Sequence, residues 1–255
     1  SSIIVKRIRK RLLRENKNCL ILIVGETGSS KSLSGLGLCR AIDKTFNINR
    51  IAWMTAKNFL QLLNKEKLKR GNAILWDDVG KGLKARDWYD MINKVTIDVL
   101  QTFRVMGLCV VFTVPDQSYL DKMVLKLFHY FVEATSIDYK NKIASFKFME
   151  IQINRRSGKA YYKYPRCKAG GQVRVISRLK VKLPPTELVK EYKRIERIKK
   201  KEIREEAEAT IDEMEKKKEE RKFVDKDKVI KEIKKDPTPF IREYKNRKFI
   251  DANLI

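Results

Sequence analysis

Lys31 and Ser32 close the stretch GETGSSKS (25–32), in which Gly25 and Gly28 precede a lysine–hydroxyl pair. Glycines at that spacing let successive backbone N–H groups converge on a phosphate. A lysine then reaches the terminal phosphates, and the hydroxyl after it completes the shell of a magnesium ion. The pattern has one departure, because Ser30 stands directly before the lysine, where glycine is usual. The residues expected to hold ATP are Gly25, Glu26, Thr27, Gly28, Ser29, Ser30, Lys31, Ser32 and Leu33. If position 30 needs glycine torsions, a serine there adds strain of about 1–2 kcal/mol. The expectation is slower turnover or looser ATP binding, not loss of binding.

A second acidic feature follows in AILWDDVG (73–80), where four apolar residues run into Asp77 and Asp78. Carboxylates at the end of a buried strand approach the metal that a phosphate loop brings with its nucleotide. Asp77 is the expected Mg²⁺ ligand beside Ser32, and Asp78 is placed to orient or activate the attacking water. The bland alternative is a turn acid that merely ends a strand. Thr113 ends the apolar run LCVVFTV (108–114) and has two readings: a γ-phosphate or water contact, or a satisfied strand-end hydroxyl. Arg104, just before that run, is either a finger reaching a neighbouring subunit's nucleotide or an ordinary surface arginine.

These residues need a scaffold, and the hydrophobic pattern supplies one. CLILIV (19–24), RIAWMT (50–55), AILWD (73–77), LCVVFTV (108–114) and HYFVEAT (129–135) read as strands. Between them, 31–42, 58–69, 87–106 and 120–127 read as helices. Such alternation argues for an α/β three-layer sandwich with a mostly parallel sheet and helices on both faces. Thr113 would then lie beside the first and third strands. IASFKFMEIQIN (143–154) alternates with period two, and RRSG leads into KAYYKYP, which predicts an added β-hairpin turning at Gly158. KAGGQ (168–172) is a further turn.

The flanks differ from this core. IIVKRIRKRLLR (3–14) reads as a short basic helix, giving an N-terminal segment 1–18 before a core of 19–183. Pro184-Pro185 opens a C-terminal extension, 184–255, that is a highly charged helix from Thr186 to about Lys222. Its apolar stripe (Leu188, Tyr192, Ile195) loses phase beyond Ile203, so no strict heptad is sustained. The last segment reads as two short helices around Pro237 and Pro239, either a small DNA-binding helical unit or a docking hook.

Composition narrows the function. No apolar run approaches the 18 or more residues of a membrane helix. The basic N-terminus resembles a signal peptide only superficially, since Cys19–Val24 is short and runs straight into the glycine loop. Four scattered cysteines and one histidine argue against a metal or disulfide framework and suit a reducing, cytoplasmic setting. His129 reads as a strand-end packing residue. The net charge is +26. From residue 180 onward 24 Lys or Arg face 18 Asp or Glu, so most of the excess lies on the core. That attracts polyanions, with nucleic acid the usual one; a Lys-rich genome explains the tail better than the core. The basic and aromatic loop GKGLKARDWY (80–89) suits strand tracking, although Trp88 also reads as a helix-start core residue. Arg155, Arg156 and Lys159 on the hairpin are the better candidates for phosphate-backbone contact.

The phosphate loop, WDDVG, an arginine before the fourth strand, FTVPDQSYLDK, LFHYFVE and the late VKLPPTELVKEY together resemble P-loop ATPases of archaeal viruses, plasmids and integrated elements. The likeness spans roughly residues 20 to 200. Such proteins have been likened to HerA/FtsK pumping ATPases and to DnaA- or DnaC-type AAA+ initiators and loaders. The resemblance implies an ATP- and Mg²⁺-dependent ATPase that forms a homo-oligomer and handles DNA in replication, partition or packaging inside an archaeal host cell. Two other readings stay open: a nucleotide-gated DNA-binding or assembly protein with little turnover, and a small-molecule P-loop kinase.

Overall fold

Every side chain of CLILIV is buried in strand β1 (Cys19–Val24), because both faces of that strand are covered. In this computed structural model the described residues are 2–26, 31–65, 67–79, 106–116, 125–222, 231, 233–236, 241–244 and 247–250. Strand periodicity sends Cys19, Ile21 and Ile23 to one core and Leu20, Leu22 and Val24 to the other. Helices α1 (Ile3–Leu13) and α2 (Lys31–Ile42) pack on the first face. Helix α3 (Ala56–Lys65) packs Phe59 and Leu62 on the second. The expected helices 87–106 and 120–127 lie almost wholly outside the described residues.

The remaining strands of the central sheet are β2 (Ile51–Trp53), β3 (Ala73–Asp77), β4 (Cys109–Val114), β5 (Tyr130–Asp138), β6 (Ile143–Ile153), β7 (Ala160–Lys163) and β10 (Arg178–Lys182). Their order is β10-β6-β5-β1-β4-β3-β2, with β7 also pairing β6. The pairings β5-β1, β1-β4, β4-β3 and β3-β2 are parallel, while β6 runs antiparallel to its neighbours. The fold is thus mixed α/β with a mostly parallel central sheet and an added hairpin. β4 lies between β1 and β3, as the position expected for Thr113 requires.

Several boundaries move for local reasons. β2 stops at Trp53 because Met54 adopts φ +56, and α3 starts early because the Thr55 hydroxyl caps it, accepting from the Asn58 N–H at 3.3 Å. β8 (Arg166–Ala169) and β9 (Gln172–Val175) form a separate ribbon. Its turn places Gly170 and Gly171 at φ +58 and +77, left-handed values that favour glycine. His129 packs at the mouth of β5: its Nδ1 accepts the Leu20 N–H at 3.1 Å, and its own N–H donates to the Leu20 carbonyl at 2.9 Å. Burial, aided by Arg11, brings its pKa down to about 4, which keeps Nδ1 an acceptor at neutral pH.

Two compact units divide the chain, Ser1–Lys199 and Lys200–Ile255. In the first, α1 buries Ile4, Val5, Ile8 and Leu12 in the core, and the start of helix α4 (Thr186–Lys222) buries Tyr192 there. The second contains the rest of α4 and a correction to the sequence reading. Residues 231 and 233–235 are helical, but the second expected helix is replaced by an antiparallel pair, β11 (Ile241–Tyr244) and β12 (Arg247–Ile250). Pro237 and Pro239 bias their predecessors toward extended backbone. IREY and RKFI then carry the β-branched and aromatic residues that favour strands.

Candidate nucleotide and metal site

β1, β3 and β4 run parallel, so their C-terminal ends share one sheet edge. Ligands bind at that edge in open α/β sheets. The register pairs Ile23 with Thr113, and Trp76 with Phe112, which sets Thr113 beside Asp77. Lys31 begins α2 just beyond β1 and is 6% exposed. Its ammonium donates to the Glu26 carbonyl at 2.9 Å, so it folds back over the loop. Gly25 donates its N–H to the Pro115 carbonyl at 3.3 Å, fixing the loop's start to the end of β4. Thr27, Gly28, Ser29 and Ser30 lie outside the described residues, and so does Arg104.

Asp77 is the centre of the arrangement. It is 2% exposed, and its Oδ1 accepts the Thr113 hydroxyl at 2.7 Å. Its Oδ2 accepts the phenol of Tyr192 at 2.5 Å. The Ser32 hydroxyl lies close enough to this carboxylate to favour its charged form. Burial raises the Asp77 pKa, the neighbouring Asp78 raises it further, and the three hydroxyls pull in the opposite direction. The net shift is upward, so ionised Asp77 is held at a cost.

Thr113 is saturated in both directions. While donating to Asp77, its hydroxyl accepts the Asp78 N–H at 2.8 Å, and its carbonyl accepts the Val79 N–H at 3.0 Å. Asp78 itself is half-buried at φ +48. Across the edge, Met54 at φ +56 donates its N–H to the Asp77 carbonyl at 3.0 Å. Two adjacent strands therefore end in left-handed non-glycine residues. Each costs about 1–3 kcal/mol, and such strain collects at working sites.

Tyr192 is the residue the sequence reading missed. It appeared there only as one member of an apolar stripe. In the structure it is 2% exposed, stacks on Trp53 with ring centroids 5.2 Å apart, and donates to Asp77. Burial and the Asp77 carboxylate push its phenol far above the usual range, so it stays a protonated donor. The contact joins residues 115 positions apart. The only local sign was a tyrosine where the stripe called for an apolar side chain.

The structure thus brings Lys31, Ser32, Asp77, Asp78 and Thr113 to one edge, with Leu33 packed against the core behind them. Ser32 and Asp77 are hard oxygen donors suited to Mg²⁺. Among the described residues no group of three His, Cys, Asp or Glu side chains could hold a metal alone. Searches found no matching family model and no matching curated protein, so the reading of this site rests on its own geometry.

Proposed function

We propose that this chain is a P-loop ATPase acting on DNA, of the kind found in archaeal viruses and plasmids, working as a homo-oligomer in the host cytoplasm. The observation that carries the reading is the convergence of Lys31, Ser32, Asp77 and Thr113 where β4 enters between β1 and β3. Lys31 neutralises charge on the terminal phosphates in place of its present bond to Glu26. Ser32 and Asp77 would hold the Mg²⁺ that comes with ATP, and the ion would supply Lewis-acid stabilisation of the phosphate oxygens. Asp78 takes the proton of the attacking water. Thr113 ties the Asp77 carboxylate to the Asp78 backbone through one hydroxyl. The +26 charge supports a polyanionic partner. Among the described residues, no helix is long and apolar enough to cross a membrane.

A second reading is favoured by one observation. Tyr192 and Thr113 occupy both oxygens of Asp77, and a carboxylate closed in this way suits a nucleotide-gated assembly protein with little turnover. Hydrolysis measured with and without DNA separates the two. The motor reading expects Mg²⁺-dependent phosphate release, stimulated by DNA and reduced at least about a hundredfold in Asp78→Asn. ATP bound but never hydrolysed under any DNA condition would leave the gated protein standing.

A further inference from the structure

The opposite edge of the sheet holds a second feature with its own chemistry. Arg50 and Asn72 stand immediately before β2 and β3, at the N-terminal ends of those strands, away from Lys31 and Asp77. Here a cleft of about 420 Å³ is lined by Arg9, Lys44, Arg50, Lys67, Lys69 and Arg70. These cations come from separate segments: α1, the turn after α2, the start of β2, and the loop after α3. Among the described lining residues Asp43 is the sole acid.

Asp43 is occupied internally. Its carboxylate accepts the Thr45 N–H at 2.8 Å and hydroxyl at 2.7 Å, the Ala73 N–H at 3.1 Å and the Asn72 amide at 3.0 Å. It also pairs with the Arg50 guanidinium at 2.5 Å. One buried carboxylate therefore clamps the turn after α2 to the starts of β2 and β3, and Arg50 cancels its charge. Arg9, Lys44, Lys67 and Lys69 add positive charge around the rim. Lys44, Lys67, Lys69 and Arg70 are exposed. The stem of Arg70 is laid against backbone: a Cβ on Gly107 would stand 2.9 Å from Arg70 Cγ and 3.4 Å from the Leu12 carbonyl oxygen. Gly107, at φ +62, is thus the residue that lets the Arg70 stem lie there.

We propose that this cleft is the docking site for the phosphodiester backbone of DNA. It deepens the reading of the protein as DNA-acting and rests on it. A concave wall carrying one sign of charge focuses field and raises local polyanion concentration. The charged side chains of the described lining suit phosphate contacts, which position a duplex without reading its sequence. Its placement on the edge opposite the phosphate loop lets DNA and ATP bind together without competing for the same groups.

The test uses the full chain and a duplex of arbitrary sequence. One variant carries Lys44→Glu, Lys67→Glu and Lys69→Glu; the control carries Arg155→Glu, Arg156→Glu and Lys159→Glu, an equal change of net charge on the hairpin. Unchanged melting temperatures establish that both fold, and a Gln version of the cleft variant replaces it if Glu does not fold. The expected result is an affinity loss of at least about tenfold in the cleft variant. Its salt slope falls by about 3, because each lost phosphate contact removes about 0.9. The control loses clearly less. Equal or greater loss in the hairpin control overturns the cleft while leaving a DNA-acting protein. Absence of DNA binding by the unmodified chain overturns both.

Discussion

Asp77 is a buried carboxylate held by hydroxyls from two different elements, Thr113 on β4 and Tyr192 on α4, with Ser32 of α2 close by. Because burial raises its folded-state pKa above the unfolded value, the folded chain favours the protonated form. Stability linked to this group is therefore complete below the unfolded pKa and is lost as pH rises through the folded one. The ionised form of Asp77 is thus the one that folding disfavours. Two substitutions should then act with opposite sign. Asp77→Asn removes the charge and keeps one acceptor for Thr113, while the Tyr192 hydroxyl can turn to accept the new amide N–H; it should raise the melting temperature while abolishing Mg²⁺-dependent nucleotide binding. Tyr192→Phe strips a donor from a buried charge and should cost about 1.5–3 kcal/mol, read from the denaturant midpoint. A lower melting temperature for Asp77→Asn would show that the site is a structural hub and not a stored charge. Asp77, Asp78 and Thr113 were legible because a polar residue ending an apolar strand stands out locally. Tyr192 was not, since nothing in a helical stripe says which member faces a carboxylate more than a hundred residues away.

At the scale of elements, the site depends on how closely α2 approaches β3 and β4. Gly35 makes that approach possible: a Cβ there would lie 2.8 Å from Leu75 Cδ1 and 3.4 Å from Thr113 Cγ2. Leu75 is fully buried and has nowhere to retreat. Gly35→Ala should cost about 1–3 kcal/mol despite its better helix propensity. A shifted denaturant midpoint with unchanged slope is the readout, and a neutral or stabilising result would mean that the layers have slack. The strands of the parallel half were legible because continuous apolar runs bounded by turn residues leave few alternatives. β10 was not recognised, although RLKVK alternates and buries Leu179 and Val181, because two apolar residues among three cations are a weak strand signal. The C-terminal hairpin β11–β12 was misread for a related reason. Short charged segments satisfy helical and strand periods about equally, and their pairing partners decide.

For the molecule as a whole, the sequence reveals the excess of positive charge but not where it converges. Folding collects Arg9, Lys44, Lys67, Lys69 and Arg70 around the start of the sheet, while the phosphate-loop residues gather at its end. This polarity, a cluster of cations at one edge and Lys31 with Asp77 at the other, is invisible to composition because it follows from the parallel direction of β2, β3 and β4. Nucleotide binding at the loop is the claim on which the rest depends. Calorimetric titration of ATP with and without Mg²⁺ into the full chain and into Lys31→Ala tests it most directly. The account predicts binding that Mg²⁺ strengthens and that Lys31→Ala weakens at least about tenfold, about 1.4 kcal/mol. No heat of binding to the unmodified chain at millimolar ATP, or equal affinity in the two proteins, would contradict it.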